Sequence, residues 1–242
     1  DRIQGVQLKC PICGATAPPP KFFQSFRGKE INISYSACPD CEVRFQVPML
    51  TAEQSDTFYA TDQYRKLISH GAVVTPDNLA GQFTRASRIV PYIQERLPSV
   101  RHHLDVGSCA GVLCNTVQQA YGASTQGVEL SEGFLAYSNA NGVLASATWP
   151  NGNSRFDLIT IVHTLEHVVD PVGMLRQARA LLNGQLYVEV PMNQPDLVHP
   201  YVFSPPALER ALAIAGFEVD ELGAVEDAML QNATDNLVAW AH

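Results

Sequence analysis

The strongest constraint on the fold is a glycine-containing turn between a short apolar segment and a helix-like run. Residues 102–118 read HHLDVGSCAGVLCNTVQ, in which Leu104 and Val106 precede the glycines Gly107 and Gly111. Glycines directly after a short apolar strand indicate that the backbone comes close to a ligand or to another part of the chain. The sequence therefore predicts a strand, a ligand-binding turn and a helix in this order.

The chain after residue 102 alternates short apolar stretches with helical segments. The predicted strands are 104–106, 124–130, 142–147, 156–162 and 184–190, and the predicted helices are 111–120, 132–141, 170–182 and 204–215. This alternation predicts an α/β fold with a parallel sheet covered by helices on both faces. Two further strands, 217–224 and 236–241, are joined by a connection too short for a parallel crossover, so we expect them to be antiparallel.

Two C-x2-C pairs predict a metal site in the first fifty residues. Cys10 and Cys13 form the first pair, and Cys38 and Cys41 form the second. Four thiolates at this spacing are typical of a zinc ribbon, in which a closed tetrahedral site is structural rather than catalytic. Two disulfides or free thiols are the alternative. The zinc interpretation favours a reducing, cytoplasmic location.

Length and composition fit one full-sized domain with a small appendage. The chain has 242 residues, of which 46% are hydrophobic and 17% are charged. We interpret residues 1–50 as a zinc ribbon, 51–101 as a helical connector or lid and 102–242 as the main domain. The net charge of −8 disfavours binding to nucleic acid through phosphates, and no run of 18 apolar residues predicts a membrane span. The sequence carries no signal for an oligomeric state.

The connector should contain two helices. Thr51 and Gln54 form a capping-box start, and the apolar pattern continues to Leu67 and Ile68. A second helix begins at Thr75-Pro76 and is expected to bend at its internal proline.

The turn at 107–111 differs from two common nucleotide-binding motifs. It lacks the pattern G-x-G-x-x-G, since Cys109 holds the middle position, and no lysine follows to make a phosphate loop. Asp105 would repel a phosphate but attract an ammonium or sulfonium group. Glu129, at the end of the second strand, could accept hydrogen bonds from ribose hydroxyls. A metal at Cys109 and Cys114 would need further ligands, and we expect Cys114 to lie in the core.

These stretches resemble class I S-adenosylmethionine-dependent methyltransferases. The resemblance is carried by LDVGSCAG, GVEL, FDLITIVHTLEHVVDP and YVFSPPALERALAIAGFEV, and it covers about residues 102–242. It implies a Rossmann-like methyltransferase sheet, mostly parallel with an antiparallel last strand, and S-adenosylmethionine as cofactor. The cofactor-binding residues that it implies are Asp105, Gly107, Ser108, Gly111, Glu129, Leu130 and His163. The third strand lacks the acid that often faces the adenine, which leaves Ser146 and Ala147 as weaker candidates there.

The acceptor side of the expected site follows the fourth strand. By the resemblance, His167 is the candidate general base, and His163 and Glu166 are further catalytic candidates. The alternative is that His167 only fixes this turn and that Glu166 orients or caps it. His199 and Tyr201, after the fifth strand, could cover the acceptor. A metal bound by the three histidines and Glu166 is a weaker alternative, because their spacing is uneven.

A zinc ribbon joined to this core is similar to uncharacterised bacterial methyltransferases that act on sugars, surface polysaccharides or secondary metabolites. The resemblance implies a small-molecule acceptor, with structural zinc, and nucleic acid is not expected as a partner. Two alternatives remain open from the sequence. One is an RNA methyltransferase that binds its substrate with the ribbon, and the other is a non-catalytic cofactor-binding or interaction protein.

Overall fold

The computed structural model describes residues 8–26, 29–64, 73–226 and 235–242. The elements before the main domain are β1 (Leu8–Lys9), β2 (Thr16–Ala17), β3 (Lys21–Phe26), β4 (Lys29–Ala37), β5 (Arg44–Gln46), α1 (Ala52–Ala60) and α2 (Pro76–Arg96). Those of the main domain are β6 (His102–Val106), α3 (Val112–Tyr121), β7 (Ser124–Val128), α4 (Glu132–Ala140), β8 (Leu144–Ser146), β9 (Phe156–Val162), α5 (Pro171–Leu181), β10 (Leu182–Pro191), β11 (Tyr201–Val202), α6 (Pro205–Ala215), β12 (Val219–Glu226) and β13 (Asp235–Ala241).

A seven-stranded sheet forms the centre of the main domain. Its strand order is β12-β13-β10-β9-β6-β7-β8, and the five strands from β10 to β8 run parallel. Strand β13 lies between β10 and β12 and is antiparallel to both. The predicted Rossmann-like methyltransferase sheet, including its antiparallel end, is therefore confirmed.

Helices cover both faces of this sheet, as the period-two pattern of its strands requires. Along β9, Leu158 packs into one apolar cluster, whereas Ile159 and Ile161 pack into another. The first cluster includes α2 and α3, and the second includes α5 and α6. The sheet is thus buried on both sides, which leaves the ends of the strands as the place for a ligand.

The cysteine-rich module of residues 8–46 is built into the main domain. Its sheet has the order β11-β5-β4-β3, so one strand, β11, comes from the loop after β10. The buried side chains Val43 and Phe45 belong to the same apolar cluster as Leu208 and Leu212 of α6. The boundary at residue 50 stays a prediction, but the apolar core is continuous across it.

The connector helices begin where their capping residues indicate. Thr51 caps α1 together with Gln54, and Thr75 caps α2 together with Asn78. Helix α2 continues through Pro91 to Arg96. The predicted continuation of the first helix to Leu67 and Ile68 lies outside the described residues. Within the described ranges, no helix is both long and apolar enough to cross a bilayer.

Candidate cofactor site

A cavity of about 400 Å³ opens at the carboxyl ends of the parallel strands. Three turns line it: Gly107 and Cys109 after β6, residues 129–131 after β7, and residues 163–164 and 167–169 after β9. Tyr59 of α1 also lines the cavity. Open α/β sheets bind their ligands at this edge, and cavities of this size accommodate small organic molecules.

The glycines of the first turn are required by close packing. Gly107 has φ +79°, and a Cβ atom there would lie 2.0 Å from Oγ1 of Thr164, in the turn after β9. Gly111 has φ +75° and packs against Val143. Cys109 also has a positive φ, +48°, which a non-glycine residue adopts only at some cost in strain. This cysteine replaces the glycine expected at the middle of the turn.

Glu129 ties the glycine turn to the start of α4. Its Oε2 accepts the backbone N–H of Cys109 at 2.8 Å, and its Oε1 accepts that of Ser131 at 2.8 Å. The carboxylate lines the cavity. Because each carboxylate oxygen has a second lone pair, Glu129 can also accept hydrogen bonds from a bound ligand.

Asp105 lies behind the turn in a buried polar chain. Oγ1 of Thr160 donates to Oδ1 of Asp105 at 2.7 Å and lies 2.8 Å from Nε2 of His103. Thr160 has one hydroxyl hydrogen, which it donates to Asp105. Nε2 of His103 must therefore carry a hydrogen and donate it to Oγ1 of Thr160. Burial lowers the pKa of His103 to about 3, so this ring is neutral. Burial, with the charge of Glu129, raises the pKa of Asp105 to about 7.

Asp105 faces a second, smaller cleft of about 40 Å³ rather than the main cavity. Gly107 and Cys109 line both spaces, and α2 contributes Gln82 and Arg85 to the smaller one. Oε1 of Gln82 accepts the backbone N–H of Ala110 at 3.1 Å. Within the described residues, Nε of Arg85 is buried without a hydrogen-bond partner. Sequence reasoning missed both α2 residues, because no motif marks them.

A buried carboxylate at the end of β10 organises the rear of the site. Glu189 accepts hydrogen bonds from Arg88 at 2.5 Å, Tyr187 at 2.6 Å and Asn236 at 2.7 Å. Nε2 of His163 lies 3.4 Å from the same carboxylate. Burial alone would raise the pKa of Glu189, but His163 and Arg88 lower it to about 2. The only sequence signal for Glu189 is an acid within an otherwise apolar strand.

Glu166 is buried between two histidines. Its Oε1 lies 3.8 Å from Nδ1 of His163 and 3.6 Å from Nε2 of His167. Within the part of the chain that the structure describes, neither carboxylate oxygen has a hydrogen-bond partner. Burial therefore raises the pKa of Glu166 to about 8. A carboxyl group of this kind can hold or release a proton near neutral pH.

The ring of His167 is fixed by a backbone carbonyl. Its Nδ1 lies 2.8 Å from the carbonyl oxygen of Val198 and 3.1 Å from the hydroxyl of Tyr59. A carbonyl only accepts hydrogen bonds, so Nδ1 carries the hydrogen and Nε2 of the neutral ring has a lone pair. His167 lines the main cavity. The predicted base is thus on the cavity wall in a tautomer that can accept a proton at Nε2.

His199 and Tyr201 were expected on a loop that covers the acceptor, and the structure places them elsewhere. Both are buried, and neither is among the described residues that line the cavity. Tyr201 lies in β11 and donates to the carbonyl of Val169 at 2.8 Å. One potential ligand atom from each of Glu166, His167 and His199 lies within 4.8 Å of the others, and His163 is not part of that group.

The other predicted cofactor residues divide between the two spaces. Leu130, His163 and Ala147 line the main cavity with Gly107 and Glu129, whereas Ser108 lines the small cleft. Gly111 begins α3 behind the turn, and Ser146 is exposed and bonds to Thr148. Their assignment as cofactor contacts stays a prediction.

The four N-terminal cysteines come together at one point. Their sulfur atoms lie within 4.8 Å of one another, with Cys10 to Cys41 at 3.7 Å and Cys13 to Cys38 at 3.5 Å. Tetrahedral thiolates around a zinc ion at about 2.3 Å are separated by roughly 3.8 Å, so the arrangement fits zinc. Cys114 is buried in α3, as predicted.

Comparison with known proteins identifies the family of the main domain. The family model described as a methyltransferase domain matches residues 79–222, which is more than half of the chain. The chain belongs to this methyltransferase family. A ubiquinone biosynthesis O-methyltransferase of Coxiella burnetii is 31% identical over 109 residues. That match covers 40% of this chain and 46% of the relative, so it spans less than half of the relative's length.

Solved structures share the fold at low sequence identity. Magnesium protoporphyrin IX methyltransferase from Synechocystis PCC 6803, with bound S-adenosylhomocysteine, aligns with a TM-score of 0.57 at 15% identity over 77% of this chain and 96% of that one. The plantazolicin methyltransferase BpumL, also with S-adenosylhomocysteine, gives 0.59 at 16% identity over 77% and 93%. The cyclase SpnF gives 0.58 at 15% identity over 79% and 95%. Because the fold also carries a cyclase, the chemistry has to be argued from the site.

Replacing Glu129 tests the cofactor site. Glu129→Ala removes a carboxylate that binds two backbone N–H groups and faces the cavity. A charge-assisted hydrogen bond contributes roughly 1.5–3 kcal/mol, so calorimetry should show S-adenosylhomocysteine bound at least about tenfold more weakly. Glu132→Ala, in the exposed first turn of α4, is the matched control and should bind normally. Unchanged affinity in Glu129→Ala would contradict the assignment.

The buried carboxyl of Glu166 should make stability depend on pH. Its pKa is about 8 when folded and near 4.5 when unfolded, so the folded state binds the proton more tightly and loses stability as pH rises through this range. Glu166→Gln removes this loss, which is on the order of a few kcal/mol. The melting temperature of Glu166→Gln minus that of the wild type should therefore be larger at pH 8 than at pH 5. An equal difference at both pH values would show that Glu166 is ionised and stabilised in the fold.

Proposed function

We propose that the chain transfers the methyl group of S-adenosylmethionine to a hydroxyl oxygen of a small-molecule acceptor. The observation that carries the proposal is the position of His167 on the same cavity as the glycine turn and Glu129. The glycine turn and Glu129 supply groups suited to a nucleoside. The turn after β9 supplies the imidazole of His167, with a lone pair on Nε2. The family membership and the neighbours with bound S-adenosylhomocysteine support this reading.

The two connected spaces divide the cofactor contacts. We assign the ribose hydroxyls to Glu129 and the adenine side to Leu130 and Ala147, which line the main cavity. The amino-acid end is assigned to the glycine turn and the small cleft, where the buried acid Asp105 and the base Arg85 lie on the same cleft. When Asp105 is ionised, its carboxylate and the guanidinium of Arg85 suit a group that carries both an ammonium and a carboxylate.

Proton removal is assigned to His167. The bound cofactor supplies an electrophilic methyl group, and transfer to a hydroxyl forms the O–C bond, breaks the S–C bond and releases a proton. Nε2 of His167 takes up that proton, while the Val198 carbonyl retains the hydrogen on Nδ1. Glu166, whose Oε1 lies 3.6 Å from Nε2, can release its own proton near neutral pH and then pair as a carboxylate with the imidazolium that forms. Nδ1 of His163 lies 3.8 Å from the same oxygen of Glu166, and its Nε2 lies 3.4 Å from Glu189.

The described walls of the cavity favour a small acceptor with a ring. Tyr59, Tyr64 and Trp149 provide aromatic surface, and Met174 and Val168 provide apolar surface. The described lining contains carboxylates but no arginine or lysine, which does not favour a phosphodiester backbone. The ubiquinone and porphyrin methyltransferases named above are consistent with an acceptor of this class. Sugars and secondary metabolites, as expected from the sequence, meet the same requirement.

We also propose that the cysteine cluster holds structural zinc. Four thiol groups leave no open coordination position, which argues against a catalytic metal there. Burial raises the pKa of Cys10 to about 11 and also raises that of Cys41, so a bound cation is needed to keep both as thiolates. Cysteines that bind zinc instead of forming disulfides fit a reducing compartment, and we propose the cytoplasm.

Zinc content gives a direct check of this proposal. Purified protein should contain about one zinc per chain by elemental analysis, and Cys13→Ser should lower that content and destabilise the module. Cys114→Ser changes a cysteine outside the cluster and should retain the zinc. Protein without zinc, or a disulfide between any two of the four cysteines by mass spectrometry, would contradict the proposal.

The base assignment predicts a specific loss of turnover. His167→Ala should lower the rate of S-adenosylhomocysteine release by roughly 10²–10⁴ with a hydroxyl acceptor, because general-base catalysis contributes this much. Affinity for S-adenosylhomocysteine should stay nearly unchanged, since the assigned cofactor contacts are elsewhere. His102→Ala, at an exposed position on β6, is the matched control and should be fully active.

A structural role for His167 would have a different signature. In that case the variant should lose thermal stability and cofactor affinity together, since the turn after β9 packs on the glycine turn. Full activity of His167→Ala would remove proton acceptance by this residue from the mechanism.

A further inference from the structure

We propose that the cysteine module positions His167, through Tyr35 and Gln46. These two side chains hold residues 196–199, the segment whose Val198 carbonyl fixes the imidazole. The positioning itself is a property of the fold, and its effect on turnover rests on the proposed function. The module then supports the part of the cavity wall that carries His167, although none of the described module residues lines the cavity itself.

Tyr35 and Gln46 form a polar contact with three carbonyl groups of that segment. The hydroxyl of Tyr35 lies 2.7 Å from the carbonyl oxygen of His199 and 2.8 Å from that of Asp196. Nε2 of Gln46 donates at 3.0 Å to the carbonyls of Asp196 and Leu197, and it lies 3.2 Å from the Tyr35 hydroxyl. Tyr35 is buried, so removing its hydroxyl takes away the donor to the His199 carbonyl, whereas the Asp196 carbonyl still accepts from Gln46.

The hairpin that carries these residues is closed by the cysteines. Tyr35 and Gln46 are direct cross-strand partners of β4 and β5, and the turn between those strands contains Cys38 and Cys41. The backbone of the turn is closed by a hydrogen bond from Cys38 N to the Val43 carbonyl at 2.9 Å. The cysteine cluster therefore determines where the ends of β4 and β5 lie.

The same hairpin also fixes the residues that follow the segment. The backbone N–H of Gln46 donates to the carbonyl of Pro200 at 2.8 Å, and Phe45 pairs with Tyr201 of β11. The segment is thus attached to the module by side chains along its length and by a strand pair at its end.

The position of residues 196–199 affects His167, because the Nδ1 hydrogen of His167 bonds to a carbonyl group of that segment. The Val198 carbonyl lies at 2.8 Å from Nδ1, and the backbone N–H of Val198 is held by Asp196 at 3.2 Å. If the segment moves, the ring can rotate or carry its hydrogen on Nε2 instead, and Nε2 then cannot accept a proton. Small displacements of a reacting group lower rates by large factors.

Tyr35→Phe tests the positioning role with the ring packing retained. In protein labelled with ¹⁵N-histidine and assigned with His167→Gln, the wild-type His167 should show hydrogen on Nδ1 only. In Tyr35→Phe the signal should change to a mixture of tautomers. Turnover should fall about tenfold or more, while affinity for S-adenosylhomocysteine and zinc content stay within about twofold of the wild type. Gln46→Met makes the same test if Tyr35→Phe does not fold.

Tyr121→Phe is the matched control. It removes a tyrosine hydroxyl that donates to the Leu97 carbonyl at 2.8 Å, outside the residues that line the cavity or hold the segment. It should leave both the His167 signal and turnover unchanged. The proposal is overturned if Tyr35→Phe and Gln46→Met retain the wild-type His167 signal. If the wild type methylates no acceptor, the proposed function fails, and the ¹⁵N signals still decide the positioning role.

Discussion

The arrangement of the site depends on one buried carboxylate, that of Glu189, and on the groups that pair with it. A carboxylate inside the protein is tolerated only when it is paired and hydrogen-bonded, and Glu189 is matched by Arg88 from α2 and Asn236 from β13. Arg88 fixes the register of α2 against the sheet. Three and six residues earlier on that helix lie Arg85 and Gln82, which are thereby brought to the glycine turn. The ion pair with Arg88 and the hydrogen bond from Asn236 thus bring the connector helix, the last strand and the small cleft together.

Two other buried carboxyl groups differ from Glu189, because burial makes their ionised forms unfavourable. Asp105 and Glu166 have pKa values raised by burial to about 7 and about 8, so each costs stability as pH rises toward neutrality. A fold selected only for stability would not retain such groups at the ends of strands. Their positions beside the small cleft and between His163 and His167 are those expected of groups that handle charge during binding and reaction.

The sequence predicted what local patterns encode. Strand and helix periodicity defined the sheet, the family resemblance implied its antiparallel end, and the spacing of the cysteines predicted their cluster. Glu129 was singled out because it is an acid at the end of the second predicted strand, and His167 was singled out by the family resemblance in the turn after the fourth. Contacts between distant parts of the chain were missed. Arg88 and Glu189 are 101 residues apart, and β11 is a two-residue strand whose partner lies in the cysteine module. Tyr201 was therefore expected on a covering loop, although it is a buried strand residue.

Transfer of label from the cofactor decides whether the chain methylates a small molecule. The full chain would be incubated with S-adenosylmethionine carrying a tritiated methyl group, together with a metabolite extract and total RNA. After separation by size and by nuclease digestion, the account predicts label in a small-molecule product, in proportion to the S-adenosylhomocysteine formed. Label that remains with RNA, or tight cofactor binding without transfer to any fraction, would contradict it.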